Sequence, residues 1–151
     1  MQTEEIRKLI GMLDWNSAQV DIDHATNKLV SIDSDKIPML ILPEADKRLW
    51  ANAALVIKKI GYPRIKEHVP NLLEWLKDVN WPGANIVMEL LESVEKDFLI
   101  SCIEDTLIKA KEKDDEMWLG GLKILLKKCA ITKSDFVHRD LYAILEAIDW
   151  T

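Results

Sequence analysis

The sequence predicts an all-α protein built as a stack of antiparallel helical hairpins, and three observations lead there. Apolar residues recur at offsets of 0, 3, 4 and 7, which is one face of an α-helix. Ile6, Leu9, Ile10 and Leu13 form one such set, and Val69, Leu72, Leu73 and Leu76 another. Strands have no signal, because no alternating run of β-branched residues is bounded by turn dipeptides. Four of the six tryptophans, Trp15, Trp50, Trp81 and Trp118, stand 35, 31 and 37 residues apart. Each has a small residue three positions on (Ala18, Ala53, Ala84, Gly121) and an aliphatic one seven on (Ile22, Ile57, Met88, Leu125). A period of that size belongs to helical-hairpin arrays, in which no hairpin buries its apolar stripe alone and stacking creates the core.

Each element follows from local chemistry. The first helix carries Ile6 to Leu13, with Thr3 as its cap and Glu4 and Glu5 at the positive end of its dipole. Its partner begins near Asn16 or Ser17, holds Val20, Ile22, Ala25, Leu29 and Val30, and breaks at residues 31–35. The second pair opens with residues 37–43, a turn or two of helix that Pro43 stops. Asp46 then caps a longer helix through Trp50, Leu55, Val56 and Ile60, which Gly61 ends, with Pro63 beyond. The third pair runs from Val69 to Leu76, turns at Asp78-Val79-Asn80, and continues through Ile86, Val87, Leu90, Leu91 and Val94, with Asn80 as cap. The fourth spans Phe98 to Ala110 and, past Asp114-Asp115-Glu116, Trp118 to Leu125. A closing helix after Ser134 or Asp135 holds Val137, Leu141, Ile144, Leu145 and Ile148. The expected whole is one domain over residues 1–151, about four hairpins and a closing helix in a HEAT-like right-handed solenoid.

Composition narrows the function. With 151 residues, 48% hydrophobic and 30% charged, the chain has the balance of an ordinary soluble domain. A net charge of −6 argues against nucleic acid, whose binders carry a basic footprint. No stretch approaches the ~18 apolar residues of a membrane span. The opening MQTEEIRKL lacks a basic-then-apolar run, so cytoplasmic residence is expected, with Cys102 and Cys129 as reduced thiols.

Residues 69–84 carry a resemblance. The run Val69-Pro70-Asn71-Leu72-Leu73-Glu74-Trp75-Leu76-Lys77-Asp78-Val79-Asn80-Trp81-Pro82-Gly83-Ala84 resembles the signature of a small bacterial family, the domain-of-unknown-function family 5071. Asp114-Asp115-Glu116-Met117-Trp118 is similar to a second feature of that family, an acidic pair shortly before a tryptophan. The resemblance is strongest from residue 62 to about 126. It implies a HEAT-like helical fold and no established activity.

The same run concentrates the candidate interaction residues. Trp75 breaks the tryptophan pattern, because Asp78 stands three positions on, so it is the tryptophan expected at the surface as a contact anchor. Asp78 and Asn80 would supply directed hydrogen bonds, or else cap the next helix. Asp114 and Asp115 would attract a basic partner, or else serve the dipole of the helix they precede. Trp50 and Trp81, in the pattern, are expected between hairpins. Asp21, Asp23 and His24 lack the spacing of helical metal ligands, and no phosphate loop, nucleophile elbow or dinucleotide fingerprint occurs. No cofactor and no metal is therefore expected. Lys127 and Lys128 beside Cys129 would lower its pKa, although a packed thiol is the better fit.

The function expected is a non-enzymatic protein-binding module, an immunity-type or scaffold protein whose partner offers a basic surface. The alternative is a hydrolase or nucleic-acid-modifying enzyme on the same scaffold, using Asp78 or Asp114. Oligomeric state and partner identity are not legible.

Overall fold

The computed structural model describes residues 1–148, and among them every regular element is helical. The α-helices are α1 (Thr3–Gly11), α2 (Gln19–Leu29), α3 (Trp50–Ile60), α4 (Val69–Leu72), α5 (Ala84–Leu91), α6 (Lys96–Glu112), α7 (Glu116–Lys128) and α8 (Tyr142–Glu146). Between them lie 3₁₀ turns at Ser34–Leu40, Lys47–Leu49, Lys66–His68, Leu73–Lys77, Lys133–Asp135 and Arg139–Leu141. The protein is all-α. No helix among the described residues is long and apolar enough to cross a membrane. The last three residues of the expected 1–151 domain lie outside the described residues.

Neighbours in sequence pack as pairs: α1 on α2, the Ser34–Leu40 turn on α3, Leu73–Lys77 on α5, and α6 on α7. Between pairs, α2 meets α3, α3 lies along α5, α1 meets the Ser34–Leu40 turn and α4 meets α6. Helix α7 reaches back to an earlier segment. Its main neighbour besides α6 is the Leu73–Lys77 turn. Gly121 permits that approach, since a Cβ there would collide with the carbonyl of Leu76. One contiguous buried cluster runs from Ile6 to Leu145. All four residues at offset seven, Ile22, Ile57, Met88 and Leu125, belong to it.

Several local expectations are corrected. Thr3 is the first residue of α1 and caps nothing; Gln2 holds the cap position without a side-chain bond. Helix α2 starts after Ala18, past Asn16 and Ser17. Residues 69–77 form one α-turn and then a 3₁₀ turn, because outside groups engage that segment's backbone. The Leu73 carbonyl accepts the Trp118 indole at 3.0 Å, and the Leu76 carbonyl lies against Gly121. The closing helix is short. Its apolar spacing spreads over two 3₁₀ turns and α8, and Val137 is 77% exposed. Trp15 precedes α2 and is 54% exposed, so the tryptophan pattern marks no buried ring there.

Candidate functional site

The family-like run builds a tight turn. The Trp81 N–H donates to the Asp78 carbonyl at 3.0 Å, and the Asp78 carboxylate accepts the Asn80 N–H at 2.9 Å. A carboxylate two residues before an N–H mimics a backbone turn, which is why Asp favours such places. Asn80 is exposed and caps no helix; Gly83, at φ +89°, stands before α5. A Cβ on Gly83 would come within 3.0 Å of both the Trp50 carbonyl and the Trp75 ring, so Gly83 is pressed between the α3 backbone and the Trp75 indole.

Trp75 is the ring beneath the turn. It is 0% exposed, and its Nε1 donates to the Pro82 carbonyl at 2.8 Å. The expected surface anchor is therefore a core residue.

Trp50 and Trp81 are half-buried and meet edge to face, centroids 5.3 Å apart and planes at 81°. Trp75 completes the cluster against Trp50 at 6.2 Å. Trp50 is fixed by its Nε1, which donates to the Pro43 carbonyl at 2.7 Å. The Lys47 ammonium stands 5.6 Å from the Trp50 centroid and 5.5 Å from that of Trp81. The neighbouring residue, Arg48, ties Trp15 to the same segment, its carbonyl accepting the Trp15 N–H at 3.1 Å. Asp46 performs the expected capping, accepting the Arg48 N–H at 2.9 Å. That backbone bond, with the Arg48 guanidinium, holds its carboxyl below the usual carboxylate range. Lys47, Trp50 and Trp81 therefore meet at one corner, and Asp78 and Asn80 belong to the turn that ends on Trp81.

Asp114 and Asp115 do not join it. Leu73 pairs with Trp118 and Leu76 with Gly121, so the two segments run in the same direction. Asp78 follows the Leu76 end, whereas Asp114 and Asp115 precede the Trp118 end. Their positions have backbone reasons. Asp114, at φ +50°, takes the left-handed residue that ends α6, and Asp115 caps α7 by accepting the Trp118 N–H at 3.0 Å. Trp118 itself is 1% exposed beneath Lys77, whose ammonium stands 4.6 Å from its ring.

Two features escaped sequence reasoning because their parts are far apart in the chain. Glu104 on α6 is 5% exposed, and its two carboxylate oxygens meet the His138 N–H at 2.8 Å and His138 Nδ1 at 3.3 Å. The pair lines a cleft of about 380 Å³ with Ser101, Asp105 and Asp140. A larger cleft of about 650 Å³ separates α1 from residues 38–45, with Arg7, Ile10, Met39 and Leu42 on its walls. Cys129 is no reactive thiol: burial, then the Glu92 carboxylate, outweigh Lys128 and push it up to about 11. No group of three His, Cys, Asp or Glu among the described residues is placed to hold a metal ion.

No curated protein and no solved structure matches the chain. A family described as a domain of unknown function, DUF5071, matches residues 45–148. The match begins just before Asp46 and takes in the Trp50–Trp81 corner, the 78–81 turn and α8, extending beyond the run that first suggested it at both ends. It leaves α1, α2 and Trp15 outside. Covering well over half of the chain, it shows that the protein belongs to the DUF5071 family.

Proposed function

We propose that the protein is a non-enzymatic protein-binding module, and that it meets a basic partner surface through the 78–81 turn and the Trp50–Trp81 corner. One observation carries this reading. The signature run folds so that Trp81 is half-buried against Trp50, in a turn with half-buried Asp78 and exposed Asn80, while Trp75 and Trp118 are sealed inside. Tryptophan is the residue type most enriched among interface hot spots, and carboxylates at a rim mainly speed association with a basic partner. The HEAT-like solenoid reading draws support from the chain of contacts α2–α3–α5 and from the contact of α4 with α6. A module that holds its partner without transforming it suits an immunity-type or scaffold role.

The test is a photo-crosslinking residue at Asn80 and, separately, at Val20, which is 72% exposed on α2. In the source cell, Asn80 should capture a discrete protein that Val20 does not. Trp81→Leu should abolish that capture. Equal capture from both positions, or capture unaffected by Trp81→Leu, would refute the reading.

A hydrolase reading now attaches to different residues. The buried Glu104 carboxylate orients the His138 imidazole, with Ser101 on the same cleft, which is the arrangement by which a carboxylate steadies a general base. Hydrolysis of an activated ester that disappears in His138→Ala would favour it over the binding module.

A further inference from the structure

We infer that the Trp50–Trp81 corner is a cage for the guanidinium of an arginine on the partner protein, and that Lys47 is its internal place-holder. The inference rests on the protein-binding reading above and names the chemistry of the group bound.

The corner is already occupied by a cation, and occupied loosely. A cation is attracted to the negative face of an aromatic ring within ~6 Å of its centroid. Lys47 lies near that limit from both rings, at 5.5 and 5.6 Å. Two other lysines sit closer to their rings, Lys77 at 4.6 Å from Trp118 and Lys66 at 4.9 Å from Phe98, and Lys113 stands farther, 6.0 Å from Trp118. Lys47 has no ion pair and no side-chain hydrogen bond among the described residues, so the two rings are all that its ammonium meets. Little is lost when such a side chain swings away.

The vacated corner suits arginine better than lysine. An ammonium is compact and strongly hydrated, whereas a guanidinium is planar, weakly hydrated and stacks on aromatic faces while its fork reaches a carboxylate. Asp78 stands in the same four-residue turn as Trp81. One of its oxygens accepts the Asn80 N–H at 2.9 Å. The half-exposed carboxylate adds negative charge to the turn that carries Trp81, which favours a cationic guest. Until a partner arrives, Lys47 covers the indole pair and limits non-specific apolar association at that surface.

The experiment follows the indole N–H signals of the full chain by NMR while a short acetyl-Gly-Arg-Gly-amide peptide is added. Parallel arms use the lysine peptide and the citrulline peptide, the last being the neutral isostere of arginine. The arginine peptide should shift the Trp50 and Trp81 signals saturably and leave those of Trp75 and Trp118 in place. Citrulline should bind several-fold more weakly. Lys47→Gln should tighten the arginine peptide by about 2- to 5-fold, the worth of one exposed cation–ring contact. Equal binding of citrulline, equal binding of lysine, or no tightening in Lys47→Gln would each overturn the inference. Partner capture through Asn80 that requires Trp81 but is indifferent to Lys47 would sink this inference alone. The absence of any Trp81-dependent capture would sink the reading beneath it.

Discussion

Tryptophan serves here as a backbone pin more than as bulk. Trp50, Trp75 and Trp118 each send an indole N–H to a carbonyl in another segment, Pro43, Pro82 and Leu73, at 2.7 to 3.0 Å. A large apolar ring with one polar edge can fill the core and satisfy a loop carbonyl together. Trp75→Phe keeps most of the packing and orphans the Pro82 carbonyl, so denaturant unfolding should show a loss of about 1–3 kcal/mol. Trp75→Ala should lose roughly 3–5 kcal/mol; a melt close to wild type would contradict its place in the core. Glycine gives a sharper contrast. Gly121→Ala drives a methyl into the Leu76 carbonyl, backbone against backbone, and should destabilise by ~3 kcal/mol or more. Gly11 has nothing within 4 Å of such a methyl, so Gly11→Ala should be neutral or mildly stabilising. Cys129 offers a pH test. Its folded pKa of about 11 stands above the ordinary 9.0, so at pH 8 the folded thiol should alkylate ~100-fold more slowly than in the unfolded chain. The stabilisation linked to it is complete below pH 9 and is lost as pH rises through about 11. Comparable alkylation rates in the folded and unfolded chain would show an exposed thiol.

At the scale of elements, what was legible is what repeats locally. Helices α1, α3, α6 and α7 carry sustained apolar periodicity, and Asp46 and Gly61 punctuate α3 by chemistry that needs only neighbouring residues. The failures are short segments whose form is dictated from outside. Residues 73–77 tighten because α7 claims their carbonyls. Asn80 was read as a cap from residue preference alone, whereas the Asp78 carboxylate takes the turn and Gly83 the left-handed position before α5. The C-terminal elements are held by Glu104, which is 34 residues from its partner His138 and so left no local trace. Glu104→Gln keeps an acceptor for the His138 N–H but removes the charge, and Glu104→Ala removes both. Hydrogen exchange at residues 139–146 should therefore accelerate modestly in the first variant and strongly in the second, with α3 and α5 unchanged. Uniform protection in all three proteins would deny the clasp.

For the whole molecule, the single buried cluster from Ile6 to Leu145 joins α1 and α2, which the family match leaves out, to the elements that it covers. The all-α class was legible because α1, α3, α6 and α7 carry helical apolar spacing; the turn of α7 onto Leu73–Lys77 was not, since it depends on a glycine whose partner lies 45 residues away. The candidate site was legible as a run and misread as an orientation. Periodicity located Trp81, and the turn chemistry beside it located Asp78 and Asn80, but the burial of Trp75 is decided by its bond to the Pro82 carbonyl and by Trp50 from another hairpin. Of the two readings open for Asp114 and Asp115, a basic partner or the helix they precede, the structure supports the second, with Asp114 at a helix end and Asp115 as a cap. Binding of a basic protein at the Trp50–Trp81 corner is measured most directly by the affinity of the Asn80-captured partner for wild-type protein and for Trp81→Leu, at low and at high salt. Trp81→Leu should weaken binding by about tenfold or more, as loss of a hot-spot tryptophan does, and salt should slow association in both proteins. Equal, salt-insensitive affinities would contradict it.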